Sequence, residues 1–458
     1  MYDMASVTDP ERDEPADEPT PSRTKRVWTY GLIAVSVIAV AVVIVGLLLP
    51  GPESELTTAP PSSSDVPSSA AAPTENRVVD EPFDPKAPIP GCDTVEVPDT
   101  GDGKITSSFT TGEPSYDNPR FPWFTGPKAT AMSDALRQLL PAGAELQFAT
   151  ESQSLVFQPI TDFGDPDPMG STNAYGSVTN GDARGSLQVV VQKTSAKVPP
   201  CVAGQLDARR VLSDATVVDV HDTWQEINGV RTNRRSAYAY AGDGSWIQAI
   251  ADDAYGDNKK QNSGKIPLAI DDLVRMAGDP GLRVSTAVPA GTPAPRDECL
   301  AYYGGADGPE VTREQAARLD RVLATIDFRD RRPPPLQISG STNNGLCTTV
   351  PAAGSLPRLD ISIAGGQSPP AQERPDPTSG ERTSIRRLGD GTVISMSRSF
   401  YSTAPIDDPG AAQSEMSTTV IVTRPNGNQV AVVSRSSFAP ALPPAELEEI
   451  ALTPGLEL

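Results

Sequence analysis

A single histidine, His221, occurs in 458 residues. Catalytic zinc sites and most heme sites use imidazole, so this scarcity leaves little room for either. Cations are also in deficit: 38 Lys and Arg against 59 Asp and Glu give a net charge of −21. Such a surface repels phosphate backbones, and nucleic acid is not expected as a partner. Aromatic residues make up only 5 % of the chain. The motifs of common chemistries are missing as well: no G-x-S-x-G elbow, no G-x-x-x-x-G-K phosphate loop and no H-E-x-x-H helix. The only S-x-x-K, from Ser22 to Lys25, precedes the apolar run described next. No cofactor and no metal is expected.

What the chain does contain is uneven. Gly and Pro number 37 and 47, too many for a wholly globular protein. Residues 27–49, VWTYGLIAVSVIAVAVVIVGLLL, carry no charge. At about 1.5 Å per residue they reach about 34 Å as a helix, enough to cross a hydrocarbon core of about 30 Å. The run is longer than the apolar region of a cleaved signal, about 7–15 residues, and Leu49-Pro50-Gly51-Pro52 offers no cleavage pattern. An uncleaved anchor, one transmembrane helix, is the reading. Arg23, Lys25 and Arg26 precede it, and the next basic residue is Arg77, so residues 1–26 are expected in the cytoplasm and the rest outside. The acidic tail 1–26 and the Pro/Ser/Ala-rich linker 50–90 are expected to be disordered.

All four cysteines, Cys92, Cys201, Cys299 and Cys347, lie beyond that linker. An even number in an oxidising compartment predicts two disulfides. Three pairings are possible, and an internal repeat favours Cys92–Cys201 with Cys299–Cys347. RRVLSDATVVDVHDTW, from Arg209 to Trp224, resembles RRLGDGTVISMSRSF, from Arg386 to Phe400, aligning without gaps from Asp214 and Asp390. DGSWIQAIADDAY resembles NGNQVAVVSRSSF, and IPLAIDDLVRMAGDPGLRV resembles ALPPAELEEIALTPGLEL. Three blocks in the same order predict a duplication: modules at 91–290 and 347–458, joined by a bridging segment 291–346 with a helix at 312–327.

Each copy reads as strands followed by a helix. Gly242-Asp243-Gly244 and Asn426-Gly427 suit tight hairpins. Leu273, Met276 and Ala277, and Leu447, Ile450 and Ala451, fall at helical spacing on one face. The expected fold class is α+β: one N-terminal transmembrane helix, then two related extracytoplasmic modules, each an antiparallel sheet with a covering helix. Two more helices are expected, Met132–Leu140 and one opening with the capping pair Thr312 and Gln315.

Candidate sites are few. Tyr116, Phe121, Trp123 and Phe124 gather around two prolines in YDNPRFPWF, a possible partner-binding platform or a segment laid across the first core. Asp162, Asp165 and Asp167 lack the EF-hand spacing and read as a polar loop. His221, flanked by Asp219 and Asp222 and replaced by Ser397 in the second copy, reads as an exposed surface residue. The function expected is non-enzymatic: a membrane-anchored envelope protein binding a ligand, an envelope protein or a wall polymer, with a groove between the copies as the natural place. The alternative is an envelope hydrolase acting on glycan or peptide through carboxylates.

Overall fold

A computed structural model describes residues 77–98, 112–163, 170–255, 261–296, 299, 308–339, 344–369, 383–403, 413–437 and 441–458. The tail, the apolar run 27–49 and the linker as far as residue 76 lie outside the described residues. Among those described, no helix is long and apolar enough to cross a membrane. The α+β expectation is corrected: the described chain is mostly antiparallel β, with four α-helices. The strands outweigh the helices because the hairpins run on past the core, with polar sequence that carries little hydrophobic alternation.

The first sheet comprises β1 (Val78–Asp80), β2 (Ala144–Leu146), β3 (Ser171–Asn180), β4 (Ala183–Lys193), β5 (Ala208–Val211), β6 (Val217–Ile227), β7 (Val230–Tyr240) and β8 (Ser245–Asp252). Its order is β1-β6-β7-β8-β4-β3-β2, and β5 also pairs with β6. The second sheet comprises β9 (Gln337–Ile338), β10 (Gly345–Val350), β11 (Arg358–Ala364), β12 (Ser384–Arg387), β13 (Val393–Thr403), β14 (Gln413–Thr423) and β15 (Gln429–Ser436), ordered β9-β10-β11-β15-β14-β13-β12. Every strand of the second sheet has a counterpart in the same place in the first. The central hairpins share a register: Val217 pairs with Tyr240 and Ile227 with Val230, as Val393 pairs with Thr423 and Thr403 with Gln413. At the corresponding turns, Asp214 and Asp390 each accept a hydrogen bond from the amide two residues on, Thr216 and Thr392. β1 has no counterpart, and it lies within 77–90, a stretch expected to be linker. Its three residues pair with 225–227 of β6.

Helices α1 (Gly126–Gln138), α2 (Ile270–Gly278), α3 (Arg313–Leu323) and α4 (Pro444–Ala451) supply the covering layer. α1 starts earlier than its apolar spacing suggests, because the Thr125 hydroxyl accepts from the Lys128 amide and Pro127 suits the first turn. At α3 the box is reciprocal: the Thr312 hydroxyl accepts from the Gln315 amide at 3.2 Å, and the Gln315 side chain from the Thr312 amide at 2.8 Å.

In the first core, Leu273, Met276 and Ala277 of α2 and Ala129, Met132 and Leu136 of α1 share one cluster with Ala174, Val189, Val191, Ala237, Ala239, Ala249 and Ala251. The row of alanines lets helix backbone approach the sheet closely at normal packing density. The second core uses larger sheet residues, Ile361, Ile363, Val420, Val422, Val430 and Val432, beneath Leu319 and Leu323 of α3 and Leu447 and Ile450 of α4. α3 thus packs within the second core. Each fully buried aliphatic side chain contributes about 1.5–3 kcal/mol.

One cation is sealed inside this layer. Lys128 of α1 is buried, and its Nζ donates to the carbonyls of Arg283 and Thr286. Burial lowers its pKa from 10.5 to about 8, partly offset by Asp243. Between those two values the unfolded chain holds a proton that the folded chain has lost, so stability rises with pH across that window. The gain is at most about 1.4 kcal/mol per pH unit. Melting of wild type and Lys128→Met from pH 7.5 to 10.5 checks this: the stability of the wild type relative to the variant should climb, and parallel curves would show that this lysine does not titrate there.

Candidate functional site

The four cysteines form two disulfides, Cys92–Cys201 and Cys299–Cys347. The first does more than close a loop. It pins a strap, residues 77–98, across the open face of the first sheet. Beside it Val95–Glu96 pairs in parallel with Cys201–Val202, and Ile89, Leu206, Cys201, Cys92 and Val95 form a small separate core. The Arg209 amide donates to the Pro90 carbonyl at 2.8 Å. Phe83 of the strap lies against Gly204, where an added Cβ would stand 2.6 Å from the ring, and Gly204 has φ +77°. Only glycine suits both demands.

Between strap and sheet lies a groove of about 560 Å³. Its strap wall is Asp80, Glu81, Phe83 and Pro98, its end is Ala203, Gly204 and Gln205, and its floor includes His221, Thr223, Thr232, Arg234 and Asp252. Strand alternation explains the floor: His221 and Thr223 sit on the face opposite the core residues Val218 and Val220, and the register sets Thr223 across from Arg234 and Arg234 across from Asp252. Apolar surface comes from Phe83, 50 % exposed, and from Ile227 and Val230, both exposed.

The carboxylates here are already engaged. Asp80 accepts from the Gln225 amide at 2.8 Å, and Glu81 from the Trp224 backbone N–H at 3.2 Å. Asp207 accepts from the Asp222 N–H at 2.6 Å, with His221 Nδ1 at 3.3 Å from the same oxygen. Asp252 accepts from the Ser186 hydroxyl at 2.7 Å and the Ala254 N–H at 3.2 Å. Burial raises the pKa of Asp252, an effect opposed by Ser186 and Arg234. Arg231 stacks over the Trp224 ring at 3.7 Å. By contrast, Gln205, Thr223 and Arg234 make no side-chain hydrogen bond to any described residue.

Sequence reasoning did not find this site. Its floor comes from alternate positions on two strands and its wall from a segment expected to be linker. The lone histidine is the one available signal, and the expectation of an exposed surface residue is corrected: His221 is partly buried beside Asp207. The aromatic segment follows the second of its two readings and lies across the first core. Phe121 and Phe124 are buried, the Tyr116 hydroxyl donates to the Phe157 carbonyl at 3.1 Å, and Tyr116 and Trp123 pack on the first core. Apolar rings before α1 close that core. Asp162 pairs with Arg120 and accepts from Asn118; Asp165 and Asp167 lie outside the described residues. Nor is the groove between the modules, since only residues of the strap and the first module line it. The bridging segment meets the first module elsewhere, through Arg296 with Glu151 at 2.9 Å and Arg313 over the Phe148 ring.

The corresponding face of the second sheet has a shallower hollow of about 320 Å³. Its charges are tied to one another: Asp360 to Arg358 at 2.9 Å and to Arg435 at 3.3 Å, and Arg435 to Glu415 at 3.6 Å. Among the described residues no cluster of three or more His, Cys, Asp or Glu side chains could hold a metal ion.

No family model matches the sequence, and no curated protein matches it. Among solved structures, the crystal structure of the di-domain ARO/CYC StfQ from the steffimycin biosynthetic pathway aligns with 10 % identity and a TM-score of 0.12, over 72 % of this chain and 86 % of that one. A likeness this slight bears on neither fold nor function.

Proposed function

We propose that the chain is an extracytoplasmic binding protein of the cell envelope, and that its first module takes a ligand or a segment of wall polymer in the groove beneath the strap. The observation that carries this reading is the division of labour among the groove's polar groups. Each carboxylate serves a structural donor, while Gln205, Thr223 and Arg234 stand ready beside the exposed Phe83 ring. An apolar surface with a few convergent polar groups is how small-molecule sites are built. A hydrolase would need two carboxylates free to exchange protons or attack a glycosidic carbon, and the engagement of the three that line the groove, and of neighbouring Asp207, argues against that alternative. Two disulfides support a location in an oxidising compartment.

Titration of the protein with soluble oligosaccharide and peptide fragments of wall polymer tests the reading. Binding without cleavage is expected. Arg234→Ala should weaken it by about 1.5–3 kcal/mol, the worth of a hydrogen bond to a charged group, and leave the melting temperature within about 1 °C, since exposed positions contribute little to stability. Failure of every fragment to bind, equal binding by the variant, or release of cleaved product would overturn it.

A further inference from the structure

The duplication exposes a difference at one edge. Along β6 the backbone groups of alternate residues face away from β7, and the first module engages them. The carbonyl of Val220 accepts from the Asp207 N–H, the N–H of Asp222 donates to the Asp207 carboxylate, and Trp224 bonds Glu81 through both its N–H and its carbonyl. β1 covers the last three residues.

β13 has the same parity. The Thr392 carbonyl accepts from the Leu388 N–H, as the Thr216 carbonyl accepts from the Leu212 N–H. Alternation therefore turns the backbone groups of Arg398, Phe400 and Ser402 outward. β12 pairs only with 393–396, and among the described residues no strand lies beyond 397–403. Phe400, 62 % exposed, sits directly across from Met416, 42 % exposed. An edge that no described strand covers, flanked by exposed apolar side chains, is a template for another strand.

We propose that this edge pairs with the same edge of a second copy of the chain, antiparallel and centred on Phe400. The register is self-complementary. Phe400 would face its own copy, and Arg398 would face Ser402 in both directions, so that all three outward positions fall in hydrogen-bonded pairs that each exchange two N–H···O bonds. Charge agrees. The chain as a whole is strongly acidic and repels itself, whereas Arg398 is the only charged residue in 397–403, and this register sets it against serine rather than against another arginine. The two Phe400 rings, brought together, form the aromatic cross-strand pair that stabilises antiparallel sheets. This interface does not depend on what occupies the first-module groove.

Full-length protein in mild detergent carries the test, and the described cysteines are all in disulfides. Phe400→Cys should give a covalent dimer on oxidation, and Val211→Cys, equally exposed on the first sheet, should not. Phe400→Glu, which sets two carboxylates face to face, should weaken self-association by roughly tenfold or more. Arg398→Pro removes one outward N–H but no bond to β14, and should weaken association while keeping the wild-type melting temperature. A monomeric chain, equal cross-linking of both cysteine variants, or a dimer indifferent to Phe400→Glu and Arg398→Pro would overturn the proposal. So would recovery of a different extended chain on this edge.

Discussion

Replacing Cys92 and Cys201 by serine is expected to lower the unfolding free energy by about 2–4 kcal/mol and, with it, to abolish binding in the groove. The stability effect follows from the length of chain the bridge closes, a separation of 109 residues against 48 for Cys299–Cys347. On loop entropy alone the longer closure is worth more by about 0.7 kcal/mol. The binding effect has a separate origin. The strap holds to the sheet through β1, a few backbone bonds and the small core around the disulfide, and it supplies Glu81, Phe83 and Pro98 to the groove. Without the bridge that wall is free to lift, and the ligand must reorder it on binding, a cost that appears directly as lost affinity. Cys299→Ser with Cys347→Ser is the contrast: it should lower the melting temperature and leave affinity intact. Calorimetry and ligand titration on both double variants check this. Undiminished binding by the Cys92/Cys201 pair would show that the strap holds without its bridge.

Phe124→Ala should cost about 3–5 kcal/mol of stability, as expected for a buried aromatic truncated in a closed core. Phe124 is 1 % exposed, and its ring lies 5.9 Å from that of Tyr116 and 5.3 Å from that of Trp123. Phe83→Ala makes the opposite case. Its ring is half exposed on the groove wall, so its removal should change stability by less than about 1 kcal/mol and weaken ligand binding instead. Denaturant melts paired with titrations separate the two phenylalanines. A destabilised Phe83→Ala that still binds would remove Phe83 from the site, and a stable Phe124→Ala would contradict its place in the core.

Local features of the fold were legible where a few neighbouring residues decide them. Asp-Gly and Asn-Gly demand tight turns, Thr312 with Gln315 closes a helix start, and Leu273, Met276 and Ala277 recur at helical spacing, all interactions within one or two turns of chain. The balance of strand against helix was not legible. β3 reads STNAYGSVTN, and the outer half of β7 reads VRTNRR. Such polar stretches are held by the neighbouring strand's backbone rather than by their own side chains, so hydrophobic periodicity is silent about them. The candidate site was less legible still. Glu81, Gln205, Thr223 and Arg234 are unremarkable one at a time and become a site only when a disulfide carries the strap across the sheet.

By itself the amino-acid sequence determined the even cysteine count and its consequence of disulfides, the scarcity of imidazole, the acidic charge balance, and the doubled pattern of turns and helix faces. These depend on composition or on short-range spacing, and long-range packing cannot undo them. Tertiary structure alone decided that strands predominate, that the aromatic cluster closes a core, that the lone histidine lies beside Asp207, and that β6 is covered to its end while, among the described residues, no strand flanks the outer half of β13. Each of those outcomes depends on which distant segment reaches a given strand face or edge, and that is set by pairing across the sheet rather than by neighbours along the chain.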